Sequence, residues 1–253
     1  MKSTITLVLG LMLLVPAVAV AMGPVDLSAE VGWFGRYLWR GMTLNDAPVV
    51  QPELSASLGG FGLSVWGNVD ADDADGASGF NEYDITVSYG VGLPVASLDV
   101  GFIYYALPDA SEQNTAEAFA SASAGVLLSP TLSVYRDVDQ VEGWYWEAGV
   151  SHGLPLSPAA NVEVAARLGA GSDRYLQGYF PTAVSKALEE GTTASSLTDL
   201  AFTLAVPWQP TPLATVTPSV TWSTLMDDAS TSVEEAGGNG DTLVWGVSAA
   251  VSF

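Results

Sequence analysis

The chain has 253 residues, of which 49% are hydrophobic and 14% charged, and its formal net charge is −21. A protein this acidic would be repelled by nucleic acid and by anionic membrane surfaces, which excludes both as partners. The sequence has no cysteine, which excludes a secreted scaffold stapled by disulfides. The charge permits attraction of cations, although adaptation to a salty or acidic medium would account for it equally well.

Residues 1–21 have the features of a cleaved secretion signal. Lys2 gives a positive start, an apolar run follows, and small residues before position 22 offer cleavage sites. The run is too short to span a bilayer as a helix, and no later segment approaches the roughly 18 uninterrupted apolar residues that a transmembrane helix needs. The excess of apolar residues therefore predicts that residues 22–253 form a transmembrane β-barrel, whose outer face meets lipid.

Short segments in which every second residue is apolar follow the signal, and they predict twelve strands. The predicted strands cover 27–41, 49–58, 61–70, 80–91, 96–107, 116–128, 131–137, 143–151, 161–170, 199–206, 214–225 and 241–253. Aromatic residues near the strand ends are typical of a membrane-interface girdle, although core packing would use them equally. These aromatic residues are Trp39, Tyr104, Trp144 and Trp222.

The connections between the predicted strands alternate between two kinds. Five are short and rich in glycine or proline, such as Gly59-Gly60, and six are longer and mostly acidic. The longest, 171–197, contains a predicted helical turn or two at 182–190. This sorting is typical of outer-membrane barrels, with short periplasmic turns and long external loops. The predicted fold is therefore an all-β, transmembrane, antiparallel up-and-down β-barrel in the bacterial outer membrane.

The last predicted strand ends the chain on an aromatic residue. From Leu243 to Phe253 every second side chain is apolar, and the chain stops while that face is still in register. This arrangement resembles the closing strand of bacterial outer-membrane barrels. The resemblance implies that Phe253 is the signal read by the barrel assembly machinery.

The stretch 27–70 carries a family resemblance. Its residues are Arg36-Tyr37-Leu38-Trp39-Arg40-Gly41, the following Gln51, and Trp66-Gly67-Asn68-Val69-Asp70. They resemble the amino-terminal region of the TorF-type family of proteobacterial outer-membrane proteins, for which a porin function is proposed. The family pattern has Ser-Asp before the tyrosine, where this chain has Gly35-Arg36. The resemblance implies a barrel that conducts solutes, and it supplies no substrate.

Charged residues at the polar positions of the predicted strands are the candidate lining of a pore. They are Arg36, Arg40, Arg167, Glu30, Glu53, Asp84, Asp99, Glu147 and Glu163. Opposite charges inside a barrel can line a water-filled channel and select solutes by their field. The same charges could instead pair across the lumen and fill it, as the side chains of small barrels do. A barrel of twelve strands lies between barrels of about eight strands, whose interior is filled by side chains, and barrels of about sixteen, which enclose an open channel.

Enzymatic readings find little support in the sequence. A hydrolase of this membrane would need a histidine beside a serine nucleophile, and the single histidine, His152, follows Ser151 near a predicted periplasmic turn. The acids Asp70, Asp72, Asp73 and Asp75 lack the glycine and glutamate spacing of a calcium loop and are read as a solvated face. No metal or other cofactor is predicted, although these acids could bind divalent cations weakly and bridge to lipopolysaccharide.

Two functions remain open at the level of sequence. The first is a narrow, passive diffusion channel for small hydrophilic solutes, biased to cations by its acidic loops and tuned by a cluster of Arg36, Arg40 and Arg167. The second is a closed structural or surface-interaction barrel whose acidic loops bind ions or partners.

Overall fold

The computed structural model describes residues 25–71, 79–108, 110–194 and 196–253, so the predicted signal peptide lies outside the described residues. Fifteen strands are found there. In chain order they are β1 (Asp26–Phe34), β2 (Tyr37–Trp39), β3 (Met42–Asn45), β4 (Val49–Leu58), β5 (Phe61–Asp70), β6 (Gly79–Leu93), β7 (Ala96–Ala106), β8 (Thr115–Ala124), β9 (Thr131–Asp137), β10 (Trp144–Ser157), β11 (Ala160–Gly171), β12 (Leu197–Ala205), β13 (Trp208–Thr211), β14 (Ala214–Leu225) and β15 (Asp241–Ser252).

Twelve of these strands form one closed antiparallel sheet, to which the short β13 is attached, and β2 and β3 form a separate two-stranded sheet. Each barrel strand pairs with its neighbours along the chain, and β1 pairs with β15, where Val31 lies opposite Ala249. The backbone of Phe253 extends this seam, because its N–H donates to the carbonyl of Leu27 at 2.9 Å. The predicted twelve-stranded up-and-down barrel is confirmed.

The outer face of the barrel is apolar because the side chains of a strand alternate between the two faces of the sheet. On β15, Leu243 is 54% exposed and Trp245 49% exposed, as the period of two predicts. Tyr104, Trp144 and Trp222 are also exposed on the outer face, in the positions expected for a girdle. Large exposed apolar surface all round a barrel is what a lipid environment selects.

The predicted first strand, 27–41, is wrong in its second half. The strand ends at Phe34, the chain bends at Gly35 and Arg36, and β2 and β3 form a separate two-stranded hairpin. The hairpin turns at Arg40 and Gly41, whose φ angles are 45° and 82°. Two successive positive φ angles are typical of a type I′ hairpin turn.

Smaller differences at other strand ends have local causes. The sixth predicted strand ends at Ala124 rather than at residue 128, because Leu128 and Ser129 turn the chain with φ angles of 67° and 34°. Pro155 lies within β10 rather than in a turn, opposite Asn161 of β11. The predicted bounds 49–58, 61–70, 131–137 and 214–225 coincide with the strands found.

The long connections contain helices. The connection after β11 forms α1 (Asp173–Tyr179) and α2 (Pro181–Glu189), and the second of these confirms the helical turns predicted at 182–190. The Ser172 hydroxyl caps α1 by accepting a hydrogen bond from the Tyr175 N–H, and a proline in the first turn of α2 suits a position where an N–H would lack a partner. The acidic connection before β15 forms α3 (Asp227–Glu235), which was expected to be a loop. Among the helices of the described residues, none is long and apolar enough to cross a membrane.

Candidate functional site

The lumen of the barrel is strongly acidic. Strand pairing places acids from most of the barrel strands on the face opposite the exposed apolar belt. Among the described residues, these lumen-facing acids are Glu30, Glu53, Asp70, Glu82, Asp84, Asp99, Glu117, Asp137, Glu147, Glu163 and Asp199. Two arginines, Arg40 and Arg167, lie among them, so the lumen keeps a large excess of negative charge.

The acids of the predicted pore lining fall at different levels of the barrel. Glu30 and Glu53 lie directly opposite each other on β1 and β4. Asp84 lies in register with the aromatic residues Trp66 and Tyr105. Asp99 lies opposite Gly90 and Ser121, and Glu163 lies opposite Gly153 and Ala205, both near the short-turn end.

Arg167 holds two acids together in the lumen. Its Nη1 donates to Glu147 at 3.0 Å, and its Nη2 lies 3.5 Å from the Asp199 carboxylate. Asp199 is fully buried, and it also accepts hydrogen bonds from the hydroxyls of Tyr145 and Thr198, each at 2.9 Å. Both hydroxyls bond to Oδ2, whereas among the described residues Oδ1 has no hydrogen-bond donor and faces the charge of Arg167 alone.

The three arginines of the predicted lining do not form one cluster. Arg36 lies in the bend after β1 at the rim of the barrel, where it pairs with Asp46 and donates to the Thr242 hydroxyl at 3.3 Å. Arg40 lies inside the barrel, but on the tip of the β2–β3 hairpin rather than on a strand of the wall. The prediction that Arg40 lies on the first barrel strand was wrong, because the chain leaves the barrel sheet after Phe34.

The guanidinium of Arg40 is held by a carboxylate and by aromatic rings. Its Nη1 and Nη2 donate to the two oxygens of Glu117 at 2.8 and 2.7 Å, while Arg40 is 6% exposed and Glu117 2%. The guanidinium carbon lies 4.3 to 4.6 Å from the ring centres of Trp39, Tyr135 and Tyr145. Burial alone would lower the pKa of Arg40, but Tyr175 and the bonded Glu117 raise it above its ordinary value, so the side chain stays charged.

Side chains rather than backbone pairing dock the hairpin in the lumen. The Tyr37 hydroxyl donates to Glu82 at 2.9 Å, and the Thr43 hydroxyl donates to Thr242 at 3.1 Å. Burial raises the pKa of Tyr37, and the Glu82 carboxylate raises it further, so the hydroxyl remains a donor at neutral pH. Trp39, which was predicted for the outer girdle, instead packs edge-on against Tyr179 inside the barrel.

A helical lid covers the hairpin at the long-connection end. Tyr175, Leu176 and Phe180 of the α1–α2 segment are almost fully buried, and they pack with Leu225 of β14 and Ala229 of α3. The hairpin and the lid together fill the lumen at this level. The connections that were expected to be external loops therefore reach into the barrel and constrict it.

Cavities remain beside the hairpin, and two of them are lined by residues of the barrel wall. The first, of about 440 Å³, lies beside Leu38 and is lined by Glu147, Arg167 and the hydroxyls of Thr203 and Thr221. The second, of about 380 Å³, is lined by the side chains of Trp39, Glu82, Tyr105, Gln140 and Tyr179. Both cavities are bounded by the polar wall of the barrel on one side and by the hairpin on the other, so movement of the hairpin would enlarge either one.

Other candidate residues of the sequence are not brought into a site. Ser151 and His152 are consecutive on β10, so one side chain faces the lumen and the other the outer face, and they cannot act as a pair. Asp70 is buried and accepts from the amides of Asn68 and Asn81 at 2.8 and 2.7 Å, so its reading as a solvated residue was wrong. Its partners in the acidic loop lie outside the described residues. Within the described ranges, no group of three or more potential ligand side chains could hold a metal ion.

Several residues of the candidate site were missed from the sequence. Glu117 lies on β8 among alanines, and the alanine repeat drew attention to the wrong face of that strand. Tyr145 and Asp199 occupy polar positions of strands that were correctly predicted, but their charge and ring contacts depend on the barrel register. The dipeptide Arg40-Gly41 was the one available signal for the hairpin, because glycine favours the left-handed half of a turn.

Comparisons with known proteins agree with the fold. A family described as "Bacterial protein of unknown function (Gcw_chp)" matches residues 18–156, more than half of the chain. No curated protein matches the sequence. The KdgM porin is similar in structure, with 14% identity and a TM-score of 0.55 over 89% of this chain and 99% of that chain.

Two further solved structures are similar to this chain. KdgM porin in complex with disordered oligogalacturonate has 12% identity and a TM-score of 0.53, over 90% of this chain and 99% of that chain. The COG4313 outer membrane channel from Pseudomonas putida F1 has 9% identity and a TM-score of 0.53, over 90% of this chain and 95% of that chain. Identities this low indicate a common fold and no more. The TorF-type resemblance stays a prediction.

Proposed function

The chain belongs to the Gcw_chp family of bacterial proteins of unknown function, and from its own barrel we propose that it is a narrow outer-membrane channel for small hydrophilic solutes. The observation that carries the proposal is a polar, acidic lumen enclosed by a continuous apolar outer belt. A belt of this kind suits lipid, and a lumen lined by polar and acidic side chains suits water and solutes. The similar folds of a porin and an outer membrane channel support the same reading.

The charge of the lumen favours cations over anions in this proposal. A narrow passage between low-dielectric walls concentrates the field of its fixed charges, which attracts counter-ions and repels ions of like charge. Arg167 neutralises only part of the charge of Glu147 and Asp199, and the facing pair Glu30 and Glu53 has no cation in register with it. A polyanion such as the oligogalacturonate in the KdgM complex would be repelled by such a lumen.

The location and assembly of the barrel belong to the same proposal. The acidic long connections would face the exterior, where divalent cations could link them to lipopolysaccharide, and both ends of the barrel chain would lie in the periplasm. Phe253 would be read by the barrel assembly machinery before its backbone closes the seam with Leu27. Lipid, lipopolysaccharide and the assembly machinery are thus the proposed macromolecular and membrane partners.

A closed structural barrel is the second candidate function. The observation in its favour is the close packing of the hairpin and the lid, in which Arg40, Tyr145 and Phe180 are almost completely buried. A barrel filled in this way would present its acidic connections as a binding surface for ions or partners. In the channel proposal, the same packing is the resting state of a constriction that moves.

Planar-bilayer recording of the refolded chain from residue 22 onward would separate the two functions. The channel proposal expects discrete conductance steps and, under a salt gradient, a reversal potential that indicates preference for cations. A matched variant that deletes the hairpin and joins β1 to β4 should conduct more. Silence from both forms, each verified as a heat-modifiable folded barrel, would leave the closed structural barrel as the function.

A further inference from the structure

The residues that surround the Arg40 guanidinium come mostly from the barrel wall. Glu117 lies on β8, and the ring faces of Tyr135 and Tyr145 come from β9 and β10. Tyr105 of β7 donates its hydroxyl to Glu117 at 2.9 Å and so fixes the carboxylate. Four consecutive, hydrogen-bonded strands therefore hold a carboxylate and two aromatic faces in place without help from the hairpin.

The group that fills this pocket is delivered by a separate element. The hairpin strands are not paired with the strands of the barrel sheet, and the tip places Arg40 at a φ of 45°, which is an uncommon conformation for a residue with a side chain. The wall binds the end of this side chain much as it would bind a free solute. Only the guanidinium end of Arg40 is needed to satisfy Glu117.

The geometry of the pocket selects a guanidinium over other cations. The two nearly equal distances to the oxygens of Glu117, 2.8 and 2.7 Å, require a planar fork of two parallel N–H donors. The rings of Tyr135 and Tyr145 require a flat cation that stacks on aromatic faces. An ammonium group is a compact point charge and cannot meet both requirements together.

We propose that Glu117, Tyr135 and Tyr145 form a binding site for the guanidinium group of a small solute, and that Arg40 occupies this site while the channel is closed. A guanidino solute that enters the acidic lumen competes with Arg40 for Glu117 and shifts the hairpin toward an undocked, conducting position. The competition with Arg40 rests on the proposed channel function, whereas the binding site itself does not.

A cavity next to the site gives a solute room to approach. The cavity of about 380 Å³ is lined by Tyr105, which bonds to Glu117, and by Trp39, which packs on Arg40. Cation attraction by the surrounding acids would raise the local concentration of a positively charged solute there. A solute held in this cavity lies close to the site, so it can bind Glu117 when Arg40 leaves and before Arg40 returns.

The binding site is tested with Arg40→Gly. Glycine accepts the positive φ of this turn without strain and vacates the pocket, so the hairpin turn is preserved. Methylguanidinium, titrated at constant ionic strength and followed by calorimetry, should bind Arg40→Gly in a saturable manner and at least about tenfold more tightly than the wild type. Methylammonium should not bind in this way, and Arg40→Gly combined with Glu117→Gln should lose methylguanidinium binding. Arg174→Gly, which removes an exposed arginine paired with Glu142, is the matched control and should gain nothing.

The competition is tested on the wild-type protein and needs no variant. Methylguanidinium, compared with methylammonium at equal concentration, should speed hydrogen exchange in the Tyr37–Asn45 hairpin and raise the frequency of conducting events. Equal effects of the two cations would overturn the proposal. If Arg40→Gly is folded and binds no methylguanidinium, the site is refuted even when the protein conducts. If Arg40→Gly binds and the wild type never conducts, the site stands and the channel function falls.

Discussion

Removal of the Glu117 carboxylate should undock the hairpin rather than unfold the barrel. If the hairpin stayed docked in Glu117→Leu, the guanidinium of Arg40 would remain buried without either of its carboxylate hydrogen bonds. Removal of one partner of a buried ion pair costs about 3–5 kcal/mol, because the remaining charge has no compensation. The barrel sheet does not include the hairpin, so Arg40 can escape this cost by leaving the lumen for water.

The expected size of the effect follows from that cost. Each 1.4 kcal/mol changes an equilibrium about tenfold, so a cost of about 3–5 kcal/mol should lower the ratio of docked to undocked hairpin by roughly two to four orders of magnitude. Hydrogen exchange measured by mass spectrometry on the Tyr37–Asn45 hairpin reports this ratio directly. The midpoint of barrel unfolding in urea should change much less, because the wall strands keep their ladder of hydrogen bonds.

A paired variant serves as the control for this prediction. Combining Glu117→Leu with Arg40→Met replaces the ion pair by apolar side chains, a change that is often neutral or stabilising for a buried pair. The double variant should therefore recover most of the protection of the hairpin. Unchanged exchange in Glu117→Leu, or a double variant as unprotected as the single one, would refute the assignment of the ion pair as the main hold on the hairpin.

Three further predictions concern other parts of the lumen. Tyr37→Phe removes the hydroxyl that donates to the buried Glu82 carboxylate and should weaken docking of the hairpin by about 1–3 kcal/mol, measured by hydrogen exchange. Because the pKa of Tyr37 is raised, the stabilisation that this hydrogen bond gives the wild type should persist up to about pH 10 and be lost as the pH rises further. Gly41→Ala should undock the hairpin and raise conductance, because its φ is 82° and a Cβ there would lie 2.6 Å from that of Asp199; conductance equal to that of the wild type would contradict it. Glu53→Gln, which removes one of two facing acids, should move the reversal potential toward zero. It should also raise the urea midpoint of unfolding slightly, since like charges opposite each other destabilise a sheet. An unchanged reversal potential would mean that Glu53 does not act on permeating ions.

The faces of the barrel strands could be predicted because a strand has only two faces. Once Leu243 and Trp245 are assigned outward, every intervening residue must point to the lumen. The same argument placed Glu147 and Arg167 inside, but it gave no register between β10 and β11. Their contact at 3.0 Å is a property of the closed barrel, which a single strand pattern does not contain.

The hairpin could not be predicted because its sequence imitates a strand. Trp33, Tyr37 and Trp39 continue a period of two past the bend at Gly35, so the pattern alone favours one long strand. What decides against it is a partner far along the chain. Arg40 and Glu117 are 77 residues apart, and only the closed barrel shows that a charge at the tip of a hairpin has a carboxylate to meet.

The helices of the lid could be predicted from the sequence only in part. The helical propensity of 182–190 was visible, whereas the acidic segment that forms α3 contains serine and threonine, which are common in loops. Its helix is fixed from outside, because Ala229 packs under the aromatic cluster around Tyr175. Packing against the lid thus overrides a weak local preference, as it does for many short helices.

The acids that would attract a cation are also the acids that hold the constriction, and this couples two measurable properties. Neutralising Glu117, which touches the hairpin, should lower cation preference and raise conductance together, because the same carboxylate carries lumen charge and binds Arg40. Neutralising Glu53, which has no described contact with the hairpin, should lower cation preference and leave the conductance of open events nearly unchanged. If the two variants behave alike, the hairpin is not the constriction and the acids act on ions only through their field. If they differ as expected, docking of the hairpin and selection of ions depend on one set of charges. Under that condition a cationic solute could displace the hairpin and so open the channel through which it passes.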